Sequence, residues 1–231
     1  MDAYPIRYEF RFDDGTTADF TARLHPHTLE LLDPPDSPAP AWAALENHRC
    51  PICPLPPSTP DCPTAAHLAG VVARFGQTFS FTEAQVRVLT PEREYARRAP
   101  VQDTLSSLIG IYMVSSGCPI LAALRPMVRF HLPFATELET TWRATSMYLV
   151  AQFLRARVGM KAGLQLDGLA EVYQQIEEVN LAFASRLRRA ATKDANVNAL
   201  VRLDLFAKAM PATIAESLEE LRDLFSPWLK G

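Results

Sequence analysis

A proline-rich segment, residues 25–63, limits more than any other feature what this chain of 231 residues can fold into. It holds eleven of the nineteen prolines, including two Pro-Pro pairs. Because proline lacks a backbone donor and fixes φ, regular helix and strand are largely excluded there. A loop of this length inside a compact domain is usually functional, tied down or disordered. Three of the four cysteines lie within it, which favours a loop that is tied down.

The cysteines have the spacing of a metal site. Cys50 and Cys53 form a C-x-x-C unit, Cys62 follows nine residues later, and Cys118 is distant in sequence. Four thiolates can complete a tetrahedral zinc site or hold an iron–sulfur cluster. We therefore predict a metal centre bound by Cys50, Cys53, Cys62 and Cys118. It would join the loop to the second half of the chain, lower the entropy of the loop and make folding depend on metal.

Every cysteine is followed by proline. At Cys62 and Cys118 this predicts a cysteine at a helix N-cap with proline at the first helical position, where free backbone amides stabilise a thiolate. Pro54 disfavours a standard zinc knuckle, which often needs positive φ at that position. The pattern favours an iron–sulfur cluster, of the 4Fe–4S type, over zinc, although the spacing departs from the compact ferredoxin run. The alternative that the chain binds no metal is also left open by the sequence.

Other roles for these residues are also open. Cys118 in an apolar region is compatible with simple packing, and Cys50 with Cys53 could form a redox dithiol. No thioredoxin-like strand and helix surround that pair, however. His48 and His67 lie near the cysteines and could replace one ligand, but a surface or packing role is commoner for such histidines.

Hydrophobic alternation predicts a small antiparallel sheet in residues 1–100, which also contain the loop. Apolar residues alternate with polar ones on both sides of Asp13-Asp14-Gly15, which is typical of a hairpin. A second strand pair turns at Pro91-Glu92, and a helix with one apolar side lies between the pairs. The predicted elements are strands at 6–12, 18–24, 85–90 and 93–97 and a helix at 64–75.

Residues 101–231 are predicted to be a helical bundle, which makes the chain α+β. Residues 104–124 carry no charged side chain, but Gly117-Cys118-Pro119 lies inside this stretch and favours two short buried helices over a membrane span. Residues 136–139 and 213–216 both have the T-x-x-E form of a capping box, and each predicts a helix start. Asp194 is predicted to cap a further helix that ends at Met210. The two regions form either separate units or one compact unit.

Charge and motifs exclude some functions. The formal net charge of −3 gives no overall positive field that would attract nucleic acid or an anionic membrane. The sequence has no glycine-rich phosphate loop, no G-x-S-x-G and no H-E-x-x-H. Arg125, Arg129 and His131 could bind an anion, tune a cluster or transfer protons, but a structural network with Glu137, Glu139 or Asp204 is the commoner arrangement.

Several of these segments resemble a bacterial protein family of unknown function. The resemblance rests on CPICPL at residues 50–55, CPTAA at 62–66, SGCPIL at 116–121, LRPMVRFHLPFAT at 124–136 and DANVNAL at 194–200. It extends over nearly the whole chain. It implies a bacterial single-chain protein and brings no established activity and no catalytic residues.

Three functions fit these observations. The first is an iron–sulfur protein with an electron-transfer or redox-sensing role and a redox partner protein; the second is a zinc-stapled interaction module. The third is an enzyme with a substrate pocket in the helical region. The start of the chain lacks a basic patch followed by an apolar run, so no targeting peptide is expected, and four cysteines without an export signal favour the cytoplasm. The sequence does not indicate an oligomeric state.

Overall fold

The computed structural model describes residues 2–35, 38–190, 192–216 and 218–230. Its N-terminal part contains a four-stranded antiparallel sheet with the strand order β2-β1-β3-β4. The strands are β1 (Tyr4–Phe12), β2 (Thr17–Leu24), β3 (Glu83–Leu89) and β4 (Glu94–Pro100). The predicted α+β class, with about four antiparallel strands followed by helices, is confirmed.

The alternation in β1 decides which face of the sheet is buried. Ile6, Tyr8 and Phe10 are buried, and the residues between them are exposed or half-buried. Tyr8 lies opposite Val88 of β3, so the same face continues across the sheet. The turn after β1 passes through Gly15 at φ 83°, a left-handed conformation that favours glycine. Period-two burial and this turn together produce the predicted hairpin.

Helices cover the buried face of the sheet and fill the rest of the molecule. Phe75 of the first helix packs edge-on against Phe10, with ring centroids 5.1 Å apart. Buried apolar residues of the sheet and of the helices belong to one cluster. The helices are α1 (Pro63–Phe75), α2 (Val101–Ser115), α3 (Pro126–Arg129), α4 (Glu137–Arg157), α5 (Asp167–Ala190), α6 (Ala195–Ala215), α7 (Glu219–Arg222) and α8 (Ser226–Leu229).

The C-terminal helices pack in a defined order. Helix α5 lies along α6, and α6 lies along α2. Apolar residues recur along α5 at helical spacing, among them Leu169, Ile176 and Phe183, and the face that they form is buried. Helix α4 contacts mainly α3 and α7, and its apolar residues Trp142, Phe153 and Leu154 are exposed. The capping box at Thr136 thus predicts the start of α4 correctly, but its apolar residues do not form a core.

The uncharged stretch contains a helix and a turn. Helix α2 ends at Ser115, and a short 3-10 helix, Leu121–Leu124, follows. Among the described residues, no helix is both long and apolar enough to cross a membrane. Gly117 has φ 92° at the turn between them, which explains why the stretch breaks there.

Two expectations about α6 are wrong. The helix continues through Pro211 to Ala215 instead of ending at Met210. Thr213 lies inside it and donates its hydroxyl to the Ala209 carbonyl oxygen, so its T-x-x-E motif starts no helix. Asp194 occupies the N-cap position without a capping hydrogen bond, because its carboxylate accepts from the Ser80 amide and hydroxyl, each at 2.9 Å.

Candidate metal centre

The C-x-x-C unit forms a tight turn in the proline-rich loop. The Cys53 amide donates to the Cys50 carbonyl oxygen at 3.0 Å, which brings the two side chains to the same side. Arg49 supports this turn by donating to the Leu55 carbonyl oxygen and by pairing with Glu46 at 3.2 Å. The loop is therefore ordered by backbone hydrogen bonds and by Arg49, although the helix described within it is only a short 3-10 helix, Ala41–Ala43.

Cys62 is the N-cap of α1, with Pro63 at the start of the helix, as predicted. Its amide donates to the Ala43 carbonyl oxygen at 2.8 Å, and Asp61 forms a β-bridge with Ala44. The Cys62 side chain makes no capping hydrogen bond. The thiol is thus held at a helix start with its sulfur available for another partner.

Cys118 lies in the turn after α2 and is brought to α1 by a side-chain contact. The hydroxyls of Thr64, in α1, and Ser116, two residues before Cys118, are 2.9 Å apart and buried. Contrary to the prediction, Cys118 is not a helix N-cap, because the 3-10 helix that follows begins at Leu121 and has Ile120 as its N-cap. The backbone amides of Ile120 and Leu121 still act on the Cys118 thiol. Positive φ at Gly117 lets the chain turn back sharply enough to reach α1.

All four cysteines line one small cavity of about 20 Å³. They reach it from three segments: the C-x-x-C turn, the start of α1 and the turn after α2. Apolar side chains form the remaining wall, among them Leu45, Ile120, Val179 and Phe183. Cys118, encoded more than fifty residues after Cys62, therefore shares a site with the other three.

The thiols affect one another electrostatically. Burial raises the pKa of Cys50 to about 12, and the neighbouring Cys62, Cys118 and Cys53 add to the rise. Burial also raises the pKa of Cys118, although two backbone amides act in the opposite direction. Without a metal the four groups are free thiols with no disulfide among them. A bound cation would reverse these shifts, since thiolates are the form that ligates metal.

A single metal ion does not fit the side chains as they stand. Within the described parts of the chain, no group of three or more His, Cys, Asp or Glu side chains is arranged to hold one ion. A tetrahedral zinc site with Zn–S bonds of about 2.3 Å needs sulfur atoms about 3.8 Å apart. The four thiols instead surround a cavity, so zinc would require them to move together.

Arg186 is a component of the site that the sequence analysis did not identify. It lies on α5, is 2% exposed, and donates to the carbonyl oxygens of Trp42, Ala44 and Leu45 at 2.6–3.3 Å. Its guanidinium also lines the cysteine cavity. One signal was available: Arg186 follows Val179 by seven residues and so lies on the buried stripe of α5.

The two histidines near the cysteines differ in position. His48 lines the cysteine cavity, and its Nε2 atom is buried without a hydrogen-bond partner. It adopts φ 55°, an uncommon conformation for a residue other than glycine. His67 lies on α1 outside the cavity wall, and burial lowers its pKa. His48 is therefore a possible neighbour of a bound metal, and His67 is not.

Arg125, Arg129 and His131 belong to a structural network, with partners other than those expected. Arg125 pairs with Glu30 and Arg129 with Glu92, each at 2.8 Å. His131 Nε2 lies 2.6 Å from the Tyr8 hydroxyl. The expected partners were Glu137, Glu139 and Asp204. The actual partners are Glu30 in the loop after β2, Glu92 in the turn before β4 and Tyr8 in β1.

The comparisons with known proteins place the chain in a family. A family model described as a domain of unknown function, DUF6901, matches residues 6–226. The chain belongs to this family. No curated protein and no solved structure matches the chain. The expected membership of a family of unknown function is confirmed at this level, and the function of the DUF6901 protein has to be argued from its own site.

Proposed function

We propose that this DUF6901 protein holds an iron–sulfur cluster, of the 4Fe–4S type, on Cys50, Cys53, Cys62 and Cys118. The observation that carries the proposal is that all four cysteines, from three separate segments, line one cavity. Unrelated buried cysteines have no reason to converge in this way, since each would pack equally well alone. Four thiolates are the usual ligand set of such clusters.

The positive charge beside the cavity would stabilise a bound anionic group. Four thiolates give a cluster site net negative charge, which is costly in an apolar cavity unless a cation compensates it. Arg186 supplies a buried positive charge that acts on Cys50, Cys53 and Cys62. Its hydrogen bonds fix it in place, so the compensation is present before any metal binds.

The preference for a cluster over zinc rests on Pro54, because a standard zinc knuckle often needs positive φ at that position and proline cannot adopt it. Cluster ligands surround a core of several atoms, whereas zinc ligands converge on one ion. Among the described residues the cysteines form no ready site for a single ion, and a cavity of about 20 Å³ holds roughly one water, so neither zinc nor a cluster fits without movement. Because the cavity has a volume of only about 20 Å³, loading would also require the C-x-x-C turn to move outward. That turn lies in a loop without regular secondary structure, where movement costs least.

Ligation by all four cysteines leaves no open iron position. A fully ligated cluster carries electrons or reports redox state and has no site where a substrate could bind iron. We therefore propose an electron-transfer or redox-sensing role, with a redox protein as partner and the reducing cytoplasm as the compartment.

The proposal is tested on protein purified without oxygen and, in parallel, reconstituted with ferrous iron and sulfide. Iron, acid-labile sulfide and zinc are measured per chain, together with the visible spectrum before and after dithionite. We expect equal amounts of iron and sulfide, near four of each, and broad absorption that bleaches on reduction. Colourless protein with one zinc per chain, or protein that takes up neither metal, would overturn the proposal.

A further inference from the structure

A second and much larger cavity, of about 630 Å³, lies between α2, α5, α6 and the segment that leads into α4. Its volume is within the range of small-molecule sites. Its wall is mainly apolar and includes Ile111, Met113, Leu124, Val128, Ile176 and Phe206. The two cavities are close neighbours. Ile120 and Val179 line the cysteine cavity, and the residue that follows each of them, Leu121 and Asn180, lines the larger one.

Asn180 is an unpartnered polar group in this cavity. The residue is 2% exposed, and neither its side-chain nitrogen nor its oxygen has a hydrogen-bond partner. Leaving buried polar groups unpaired costs about 1–3 kcal/mol each, so native proteins rarely do so without a reason. A ligand that both donates and accepts hydrogen bonds would satisfy this amide.

Arg143 places an unneutralised cation at another part of the wall. One of its terminal nitrogens donates to the Met127 carbonyl oxygen at 2.8 Å, and its Nε atom is buried without a partner. Burial lowers its pKa. Glu139, the carboxylate that acts on it, is exposed and closes the capping box of α4 instead. The planar guanidinium fork binds a carboxylate or a phosphate through two parallel hydrogen bonds, and the mainly apolar wall favours the less strongly charged carboxylate.

The other charged groups of the wall do not neutralise Arg143. Asp103 pairs with Arg202 at 3.2 Å, and Arg97 and Glu137 are exposed at the rim. His131 is held neutral by burial and bonds the Tyr8 hydroxyl. The interior of the cavity therefore carries one uncompensated positive charge.

Helix geometry gives the distance from Asn180 to Tyr173, the cavity residue on which the charge of Arg143 acts. Tyr173 and Arg143 interact, and both line the cavity. Tyr173 and Asn180 are seven residues apart on α5, which is about 10 Å along the axis, and apolar Ile176 lies between them. The site is thus cationic at one end, apolar in the middle and hydrogen-bonding at the other end.

We propose that this cavity binds an amphipathic organic carboxylate, with its carboxylate on Arg143 and a hydroxyl or amide at the far end on Asn180. The proposal does not depend on the metal centre. The ligand spans about 10 Å, which is the length of a medium-chain acid.

Isothermal titration calorimetry on the full chain tests this with decanoate, decanol and a decanoate that carries a terminal hydroxyl. We expect both carboxylates to bind at least about tenfold more tightly than decanol, because a charge-assisted pair is worth that much. Arg143→Met should remove the preference for the carboxylates over decanol. Asn180→Leu should remove only the tighter binding that the terminal hydroxyl gives to the hydroxylated decanoate. Arg97→Met, at the exposed rim, is the matched control and should change binding less than twofold.

Three results would overturn the proposal: no binding of any carboxylate at millimolar concentration, equal affinity for decanoate and decanol, or unchanged decanoate affinity in Arg143→Met. If a variant fails to fold, the affinities of decanoate and decanol for the unmodified protein still test the proposal. A dimer by light scattering that binds none of the ligands would show that a second copy covers the cavity instead.

Discussion

Arg186 connects the cysteine-bearing loop to α5. It is buried, and its guanidinium joins α5 to three carbonyl oxygens of residues 42–45. The sequence did not point to it as part of the site, because a charged residue on a buried stripe is rare. The three carbonyls it binds lie more than 140 residues away, so no local pattern reveals them.

Replacing Arg186 by methionine should destabilise the metal-free protein by about 2–4 kcal/mol, since buried carbonyl oxygens lose their donors. Urea unfolding measures the change. Arg188→Met, on the exposed side of the same helix, should stay within about 0.5 kcal/mol of the unmodified protein. Equal losses in the two variants would show that Arg186 does not hold the loop.

His131 makes stability depend on pH. Burial, assisted by the charge of Arg143, lowers its pKa from 6.5 to about 3 in the folded protein. Between these values the unfolded chain binds a proton that the folded protein does not. The contribution of His131 to the free energy of unfolding is therefore fully present above pH 6.5 and is lost on acidification toward pH 3. Because His131 borders the large cavity, which admits water, we expect a loss on the order of 2 kcal/mol between pH 6.5 and 4.5.

Urea unfolding at several pH values checks this dependence. Carboxylates also titrate in this range, so the contribution of His131 is the difference between the unmodified protein and His131→Gln, which retains an acceptor for the Tyr8 hydroxyl. The variant should show the shallower dependence on pH. His27→Gln, at an exposed position, should behave like the unmodified protein. If the free energy of unfolding of His131→Gln depends on pH as steeply as that of the unmodified protein, His131 is not held neutral in the fold.

At the scale of elements, two identical sequence motifs have different structures. Residues 136–139 form a true capping box: the Thr136 hydroxyl accepts from the Glu139 amide, and the Glu139 carboxylate accepts from the Thr136 amide. Residues 213–216 have the same T-x-x-E form but continue α6, since the Glu216 amide donates to the Ala212 carbonyl oxygen. Tertiary packing of α6 decides this outcome, and a four-residue motif does not contain that information.

Thr136→Ala should therefore cost about 1 kcal/mol, the usual value of a lost N-cap. Thr213→Ala should change stability by less than about 0.5 kcal/mol, because alanine is the better helix former at an interior position. Thermal or urea unfolding of the two variants side by side gives the answer. Equal destabilisation by both substitutions would contradict the assignment of the second motif to the interior of α6.

The strands and most helices could be predicted because their causes are local. Period-two alternation and the turn at Gly15 specify the hairpin, and a 3.6-residue apolar stripe specifies α5. The exposure of Trp142 and Phe153 on α4 could not be predicted in this way. A stripe shows which face of a helix is apolar, but not whether another element lies against that face.

At the scale of the whole molecule, the cysteine residues of the candidate site could be named from sequence, but their neighbours could not. The C-x-x-C spacing and the Cys-Pro pairs are local signals of ligands. Arg186, His48 and the large cavity between α2, α5 and α6 arise from packing between distant segments. The sequence also left iron, zinc and no metal as alternatives, because spacing alone does not specify which metal binds.

A metal centre that joins three segments should protect the loop from proteolysis. Trypsin can cleave after Arg49, beside the C-x-x-C turn, only when the loop opens. Loading with iron and sulfide should slow this cleavage several-fold, since opening would then break metal–thiolate bonds. Mass spectrometry follows the fragment that ends at Arg49. Cleavage at the same rate with and without metal would show that the loop is not cross-linked.

The central claim is that Cys118 shares one metal centre with the three cysteines of the loop. Its most direct test is the iron content and visible spectrum of Cys118→Ser after reconstitution, measured beside His67→Ala, whose histidine lies outside the cavity wall. Cys118→Ser should lose most of its iron and its absorption or yield a labile cluster, whereas His67→Ala should match the unmodified protein. A Cys118→Ser variant with full iron content and an unchanged, stable spectrum would contradict it.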